Sequence, residues 1–161
     1  IFMKDTGPLA TPIVEETMAL YREGHPTISF ETRLSGDLPL PTLLLDRQQI
    51  KQALINLVDN AITAIKGRGR IEIHIVYWNA ADRVRLEVAD SGPGISDEDK
   101  ARLFEPNFST KKSGMGLGLT IVNTIVADHG GTITVSDNQP HGAKFIIELP
   151  VRALPESAAA V

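Results

Sequence analysis

Two asparagines four residues apart stand inside an otherwise apolar run. Asn56 and Asn60 lie in NLVDNA, and that spacing puts both on one face of a helix. Asparagine is a poor residue for a helix interior, because its amide competes for backbone hydrogen bonds. Two on one stripe are either satisfied polar residues at a core edge or carbonyl oxygens presented to Mg²⁺ and phosphate. Mg²⁺ takes oxygen ligands and often relies on few protein groups plus substrate phosphates.

Asp90 is a second candidate. Val84, Leu86, Val88 and Asp90 share parity, so in a strand Asp90 points to the face those apolar residues bury. A carboxylate there is costly unless donors reach it. DSGPG (90–94) supplies a backbone that can bend sharply and approach a ligand closely. The residue either initiates a turn or accepts from an exocyclic amine such as adenine N6. Guanine carries a carbonyl at that position and would be repelled.

A third candidate is GMGLGL (114–119), where Gly114, Gly116 and Gly118 alternate just before an apolar helix. Glycines ahead of a helix N-terminus make a phosphate site from free N–H groups and the helix dipole. A P-loop would need Gly-Lys-Ser/Thr, and the dinucleotide fingerprint a glycine where Leu119 stands. A flexible loop has the same composition. Upstream, LFEPNFSTKK (103–112) holds Phe104 and Phe108 as anchoring aromatics, and Lys111 and Lys112 could reach phosphates. The histidines at 25, 74, 129 and 141 share no metal-ligand spacing, and His129, before Gly130-Gly131, reads as structural.

The elements needed to place these groups are legible in outline. A helix is predicted over 12–23 and a strand over 27–34, with a loop at Pro39-Leu40-Pro41. Asp46 caps a long helix over 47–66, which Gly67 and Gly69 end. Two strands alternate at Ile71, Ile73, Ile75 and at Val84, Leu86, Val88. A short helical piece near 96–104, a helix over 117–128 and a hairpin of 132–137 with 143–149 complete the order. The predicted fold class is α+β: a two-layer sandwich of helices on a mixed sheet.

The 161 residues fit one domain. The net charge of −4 implies no broad attraction to nucleic acid or anionic lipid. The chain has no cysteine, which excludes a disulfide framework and thiolate metal sites. No apolar run approaches the roughly 20 residues of a transmembrane helix, and no signal peptide is visible. A start at Ile1 rather than Met is expected of a piece of a longer protein.

Together these stretches resemble the histidine kinase ATPase domain of the gyrase, Hsp90, histidine kinase and MutL superfamily. NLVDNA resembles the N box, DSGPG the first glycine box, LFEPNF the F box, GMGLGL the second glycine box and GAKF (142–145) the third. The combination of NLVDNA with PNFSTKK is closest to nitrogen-regulation sensor kinases of the NtrY and NtrB type. The resemblance implies a Bergerat fold with ATP under a mobile lid spanning about 95–117. It implies that Asn60 ligates Mg²⁺, that Asn56 supports metal and phosphates, and that Asp90 accepts from adenine N6. It implies further ATP contacts from Gly92, Gly94, Ile95, Phe104, Gly114, Met115, Gly116, Leu117, Gly118 and Leu119, and a catalytic lid contact from Lys111. Many sensor kinases carry lysine three residues after the second asparagine; here Thr63 stands there.

Water-hydrolysing relatives carry glutamate, a general base, where this chain has Asn56. Transfer to another nucleophile is therefore expected over hydrolysis. The acceptor histidine is expected on a dimerisation domain upstream, with residues 1–11 as linker, 12–152 as catalytic domain and 153–161 as a disordered tail. The expected partners are that dimerisation domain and, through the whole kinase, a response regulator. No nucleic-acid or direct membrane contact is expected. The isolated domain should be monomeric and cytoplasmic, and the full kinase a homodimer. An anti-sigma-factor serine kinase and a non-catalytic nucleotide sensor are the competing readings.

Overall fold

The computed structural model describes residues 3–4, 11–37, 44–105 and 116–151. In chain order the elements are β1 (Met3–Lys4), α1 (Thr11–Arg22), β2 (Ile28–Gly36), β3 (Leu44–Leu45), α2 (Arg47–Ile65), β4 (Gly69–Trp78), β5 (Arg83–Asp90), α3 (Asp97–Lys100), α4 (Gly116–Asp128), β6 (Thr132–Asp137) and β7 (Ala143–Pro150). A short 3₁₀ turn, Asn79–Ala81, links β4 to β5.

Five strands form one mixed sheet in the order β2-β4-β5-β7-β6. Only β2 and β4 run parallel, and the other neighbours are antiparallel. The strands β1 and β3 form a separate two-stranded ribbon. One sheet face is apolar, because alternate residues point the same way. Ile71, Ile73 and Ile75, Val84, Leu86 and Val88, and Phe145, Ile147 and Leu149 are all buried there. Against them pack Ile50, Leu54, Leu57 and Val58 of α2 and Leu119, Val122 and Val126 of α4. The opposite face is polar. Glu87, 8% exposed at its centre, has His74, Arg85 and Lys144 around it.

Asp46 caps α2, its carboxylate accepting from the Gln49 N–H at 3.1 Å. His129 is structural, as expected. Its Nδ1 donates to the Ile125 carbonyl at 2.8 Å, and its Nε2 accepts from the Asp46 N–H at 3.0 Å. One imidazole thus ties the end of α4 to the start of α2.

Two boundaries differ from expectation. The left-handed residue that closes α2 is Lys66 (φ 51°), not a glycine. Gly69 is already strand, paired with Ile28. Its lack of a side chain serves packing, since a Cβ there would lie 2.7 Å from both Ile65 Cγ2 and Ser91 Oγ. The helix predicted near 96–104 is a single turn, Asp97–Lys100, capped by Ser96, with turns after it. Residues 38–43, 106–115 and 152–161 lie outside the described residues, as do 1–2 and 5–10. The expected linker, apart from β1 and Thr11, the Pro39–Pro41 loop, residues 106–115 of the lid and the tail fall there. Among the described residues no helix is long and apolar enough to cross a membrane.

The core predicts its own test. Leu57 is fully buried between α2 and the sheet. Leu57→Ala should cost about 2–5 kcal/mol, from lost burial and the cavity left behind. A urea unfolding midpoint unchanged from wild type would contradict this packing.

Candidate functional site

The site candidates gather where three parts of the fold meet. These are the second half of α2, the end of β5 with its following loop, and the first turn of α4. The two asparagines differ sharply. Asn56 is engaged at both ends of its amide: Gln52 Nε2 donates to its Oδ1 at 2.8 Å, and its Nδ2 donates to the Gly118 carbonyl at 3.3 Å. It therefore clasps α2 to the first turn of α4. A Cβ at Gly118 would stand 3.9 Å from Asn56 Cβ, an ordinary contact. At Asn60, one turn further on, neither amide atom finds a partner among the described residues, and the nitrogen is buried. A buried amide left without a partner is costly.

Asp90 ends β5 at 4% exposure, on the face that the parity argument assigned to it. Its Oδ1 accepts from the N–H of Gly92 at 2.9 Å and of Ala143 at 3.3 Å. Its Oδ2 accepts from none of the described residues. Burial pushes the Asp90 carboxyl above the ordinary aspartate range, while the two N–H bonds and the nearby His141 pull it back.

Loop 91–95 sits against the last turn of α2. A Cβ on Gly92 would come 3.1 Å from the Ala64 carbonyl oxygen. Ala64 lies one turn after Asn60, so the free amide and the half-free carboxylate belong to one neighbourhood. Gly94 takes φ 85°, a conformation that favours glycine. Ile95 and Phe104 are half-buried against the core. Gly116 and Leu117 open α4, and the Leu119 side chain is wholly buried in the core, so any ligand contact there would be through its backbone. Lys111, Gly114, Met115 and Phe108 lie outside the described residues.

Sequence reasoning placed the β6–β7 hairpin but missed what Asn138 and His141 in its turn hold. Asn138 Nδ2 donates to the Asp90 carbonyl at 2.8 Å, and His141 Nδ1 to the Gly92 carbonyl at 3.1 Å. Gly142 (φ 112°) packs so closely on Asp90 that a Cβ would overlap its carbonyl oxygen. The glycine signal was visible, but its partner was not. A cleft of about 360 Å³, lined by residues 93–96 and 137–142, runs between this turn and the loop; Asn56, Asn60 and Asp90 do not line it.

The residues fit a nucleotide with Mg²⁺. The Asn60 amide, turned either way, offers an oxygen to a cation or N–H groups to a phosphate. Asp90 Oδ2 offers an acceptor to an amine. Among the described residues no group of three His, Asp or Glu side chains could hold a metal, so a cation here would depend on Asn60 and phosphate oxygens.

A mixed sheet with helices on one face, an asparagine-bearing helix and a buried aspartate before a glycine loop together define a Bergerat-type ATP-binding domain. The chain belongs to the histidine kinase-, DNA gyrase B- and HSP90-like ATPase family, whose model matches residues 45–153. It is 37% identical over 139 residues to the sensor protein FixL of Bradyrhizobium diazoefficiens and 35% identical over 146 residues to the nitrogen regulation protein NtrY of Azorhizobium caulinodans. The alignments cover 86% and 88% of this chain but only 28% and 18% of those relatives. The nucleotide-free catalytic domain of histidine kinase ThkA superposes with a TM-score of 0.80 at 35% identity, covering 94% of this chain and 98% of that one. ThkA solved with the response regulator TrrA is similar too, with a TM-score of 0.76 and 42% of that chain covered. The chain is thus a histidine kinase ATPase domain of the kind sensor kinases carry.

Asp90 predicts an opposition between stability and binding. Its native carboxyl holds a proton more tightly than the unfolded chain does. Its contribution to stability is therefore complete below the unfolded pKa of about 3.9 and is lost as pH rises through the folded value. Asp90→Asn keeps an oxygen for both N–H donors. The nucleotide-free variant should melt no lower than wild type at neutral pH, and its advantage should shrink on acidification. Circular dichroism melts at two pH values read this; a variant clearly less stable at neutral pH would contradict it.

Proposed function

We propose that this domain binds Mg²⁺-ATP and passes the γ-phosphate to a histidine on a separate dimerisation domain of a two-component kinase. The observation that carries the reading is the buried Asp90, satisfied at one carboxylate oxygen and, among the described residues, without a partner at the other. An acceptor held rigidly at the edge of a core suits the N6 amine of adenine and disfavours the guanine carbonyl. The free Asn60 amide, beside the loop that follows Asp90, suits the metal and phosphate end. Mg²⁺, when bound, would neutralise phosphate charge as the γ-phosphoryl leaves.

The chain's own groups supply positioning. Asp90 and the glycines at 92 and 94 hold the base, and the Gly116–Leu119 turn brings helix N–H groups toward phosphate. Asn56 anchors that turn through the Gly118 carbonyl. It is an amide without a proton-accepting carboxylate, so water activation from this position is not available. That supports transfer over hydrolysis. Thr63 is exposed and cannot supply the ammonium charge a lysine would. Lys111 is the candidate cation for the lid.

The acceptor is proposed to lie outside these residues. His129 is held at both ring nitrogens, and His25, His74 and His141 lack a neighbouring acidic residue followed by proline. The ThkA complex with TrrA supports a response regulator as the downstream partner of the whole kinase. A cytoplasmic domain and a dimeric parent follow from the same reading.

Calorimetry should show ATP binding that weakens greatly without Mg²⁺, and Asn60→Ala should remove most of that dependence. Equal affinity with and without Mg²⁺ would sink the Asn60 assignment. The domain alone should turn over almost no ATP. Mixed with a dimerisation domain from its own kinase, it should form a phosphoprotein that is alkali-stable and acid-labile, at a rate that rises with concentration because the parts are unlinked. An acid-stable product would favour the serine kinase reading. Brisk hydrolysis would favour a hydrolytic relative, and no transfer at all a nucleotide sensor.

A further inference from the structure

The β5–β7 ladder stops one residue short of Asp90. Its last pair is Ala89 with Lys144, whereas on the other side Asp90 is still paired with Ile71 of β4. Toward β7 the Asp90 peptide therefore has no strand neighbour, and a buried carbonyl left there would be unsatisfied. Asn138 fills the place. Its Nδ2 donates to the Asp90 carbonyl at 2.8 Å, as a ladder N–H would. The Gly92 backbone is fixed on both sides too. The Gly92 N–H donates to Asp90 Oδ1 at 2.9 Å, and its carbonyl accepts from His141 Nδ1 at 3.1 Å. The turn itself is closed by the Asn138 N–H on the Gly142 carbonyl at 2.9 Å. Asn138 and His141 thus hold the backbone on both sides of the base-facing carboxylate from outside the α2–α4 site.

We infer that Asn138 and His141 are positioning residues for base recognition: they set the direction in which Asp90 Oδ2 faces. The inference rests on the reading of Asp90 as the acceptor for adenine N6. Neither side chain touches nucleotide in this account; both act through the Asp90 and Gly92 peptides. Because they steady one short loop, their effects are coupled, and the double variant should lose less than the product of the two single losses.

The test compares ATP with N6,N6-dimethyl-ATP, which has no N–H for Asp90 to accept from. Affinities are measured by calorimetry with Mg²⁺ on the whole domain. Wild type should prefer ATP. Asn138→Ala and His141→Ala should each weaken ATP about fivefold, the worth of one neutral hydrogen bond, with little change for the dimethyl analogue. Discrimination between the two should shrink accordingly. His141→Asn keeps an N–H donor near the Nδ1 position and should restore binding to within about twofold of wild type. General loosening of the fold would lower both affinities together, and that result overturns the inference. So would variants that bind ATP like wild type, or a failure of His141→Asn to recover. Wild-type protein that binds ATP no better than the dimethyl analogue would instead overturn the adenine reading of Asp90.

Discussion

Asp90 places a carboxyl group where water is nearly excluded, and the architecture around it answers the cost of that burial. Being the last residue of a central strand, it gains rigid neighbours on the β4 side and a buried face toward the helices. Two backbone N–H groups share one oxygen, which offsets part of the desolvation cost. Both donors need glycine geometry close by. Gly92 lies against the end of α2, and Gly142 lies against Asp90 where no side chain fits. The polar groups thus depend on close backbone approach, and that depends on the packing of α2, β5 and the β6–β7 turn as one unit.

The α2 helix carries the second half of the arrangement. Its apolar stripe, Ile50 to Ile65, seats it on the sheet, and its two asparagines then have different tasks. Asn56 spends both ends of its amide on Gln52 and Gly118, joining two helices. Asn60 has no partner at either end among the described residues. Helical spacing of four put them on the same face, and the neighbouring element decided which one was consumed. A pair that looks equivalent in sequence is therefore divided into a hydrogen-bonded and an unpartnered member by where α4 begins.

Much of this was legible because it rests on short-range periodicity. The alternation of Ile71, Ile73, Ile75 and of Val84, Leu86, Val88 marks two strands, and the parity of Asp90 with the latter places its side chain correctly. Asp46 shows the start of α2 through a local hydrogen bond. Legibility failed where partners are distant. Nothing in TISFETRL says that this strand lies parallel to β4 at the sheet edge, since register is settled by tertiary packing. SDNQPHG reads as ordinary turn chemistry. Asn138 and His141 gain meaning only when Asp90 and Gly92, 48 and 49 residues away, are brought beside them. The end of α2 misled for a related reason, because Gly69 is small for the sake of Ile65 and Ser91 rather than for a left-handed turn.

The register of β5 has a consequence for how this chain can change in length. Every residue from Arg83 to Asp90 is matched to β4, and all but Asp90 to β7 as well. Side chains alternate at each step, so one inserted residue within β5 would exchange its faces. Either Asp90 would turn outward, or the valines before it would, with Arg85 and Glu87 turning toward the apolar helices. The far end is different. The Asn79–Ala81 turn is closed by the Asp82 N–H on the Asn79 carbonyl, and is tied to its surroundings by the Asp37 carboxylate and Tyr77 hydroxyl on Asn79 and by the Asp82 carbonyl on the Val151 N–H. Extra residues there would lengthen a hairpin at the rim without altering what faces what. Insertions and deletions in sequences related to this one should therefore collect at the β4–β5 turn and stay out of the strand beyond it.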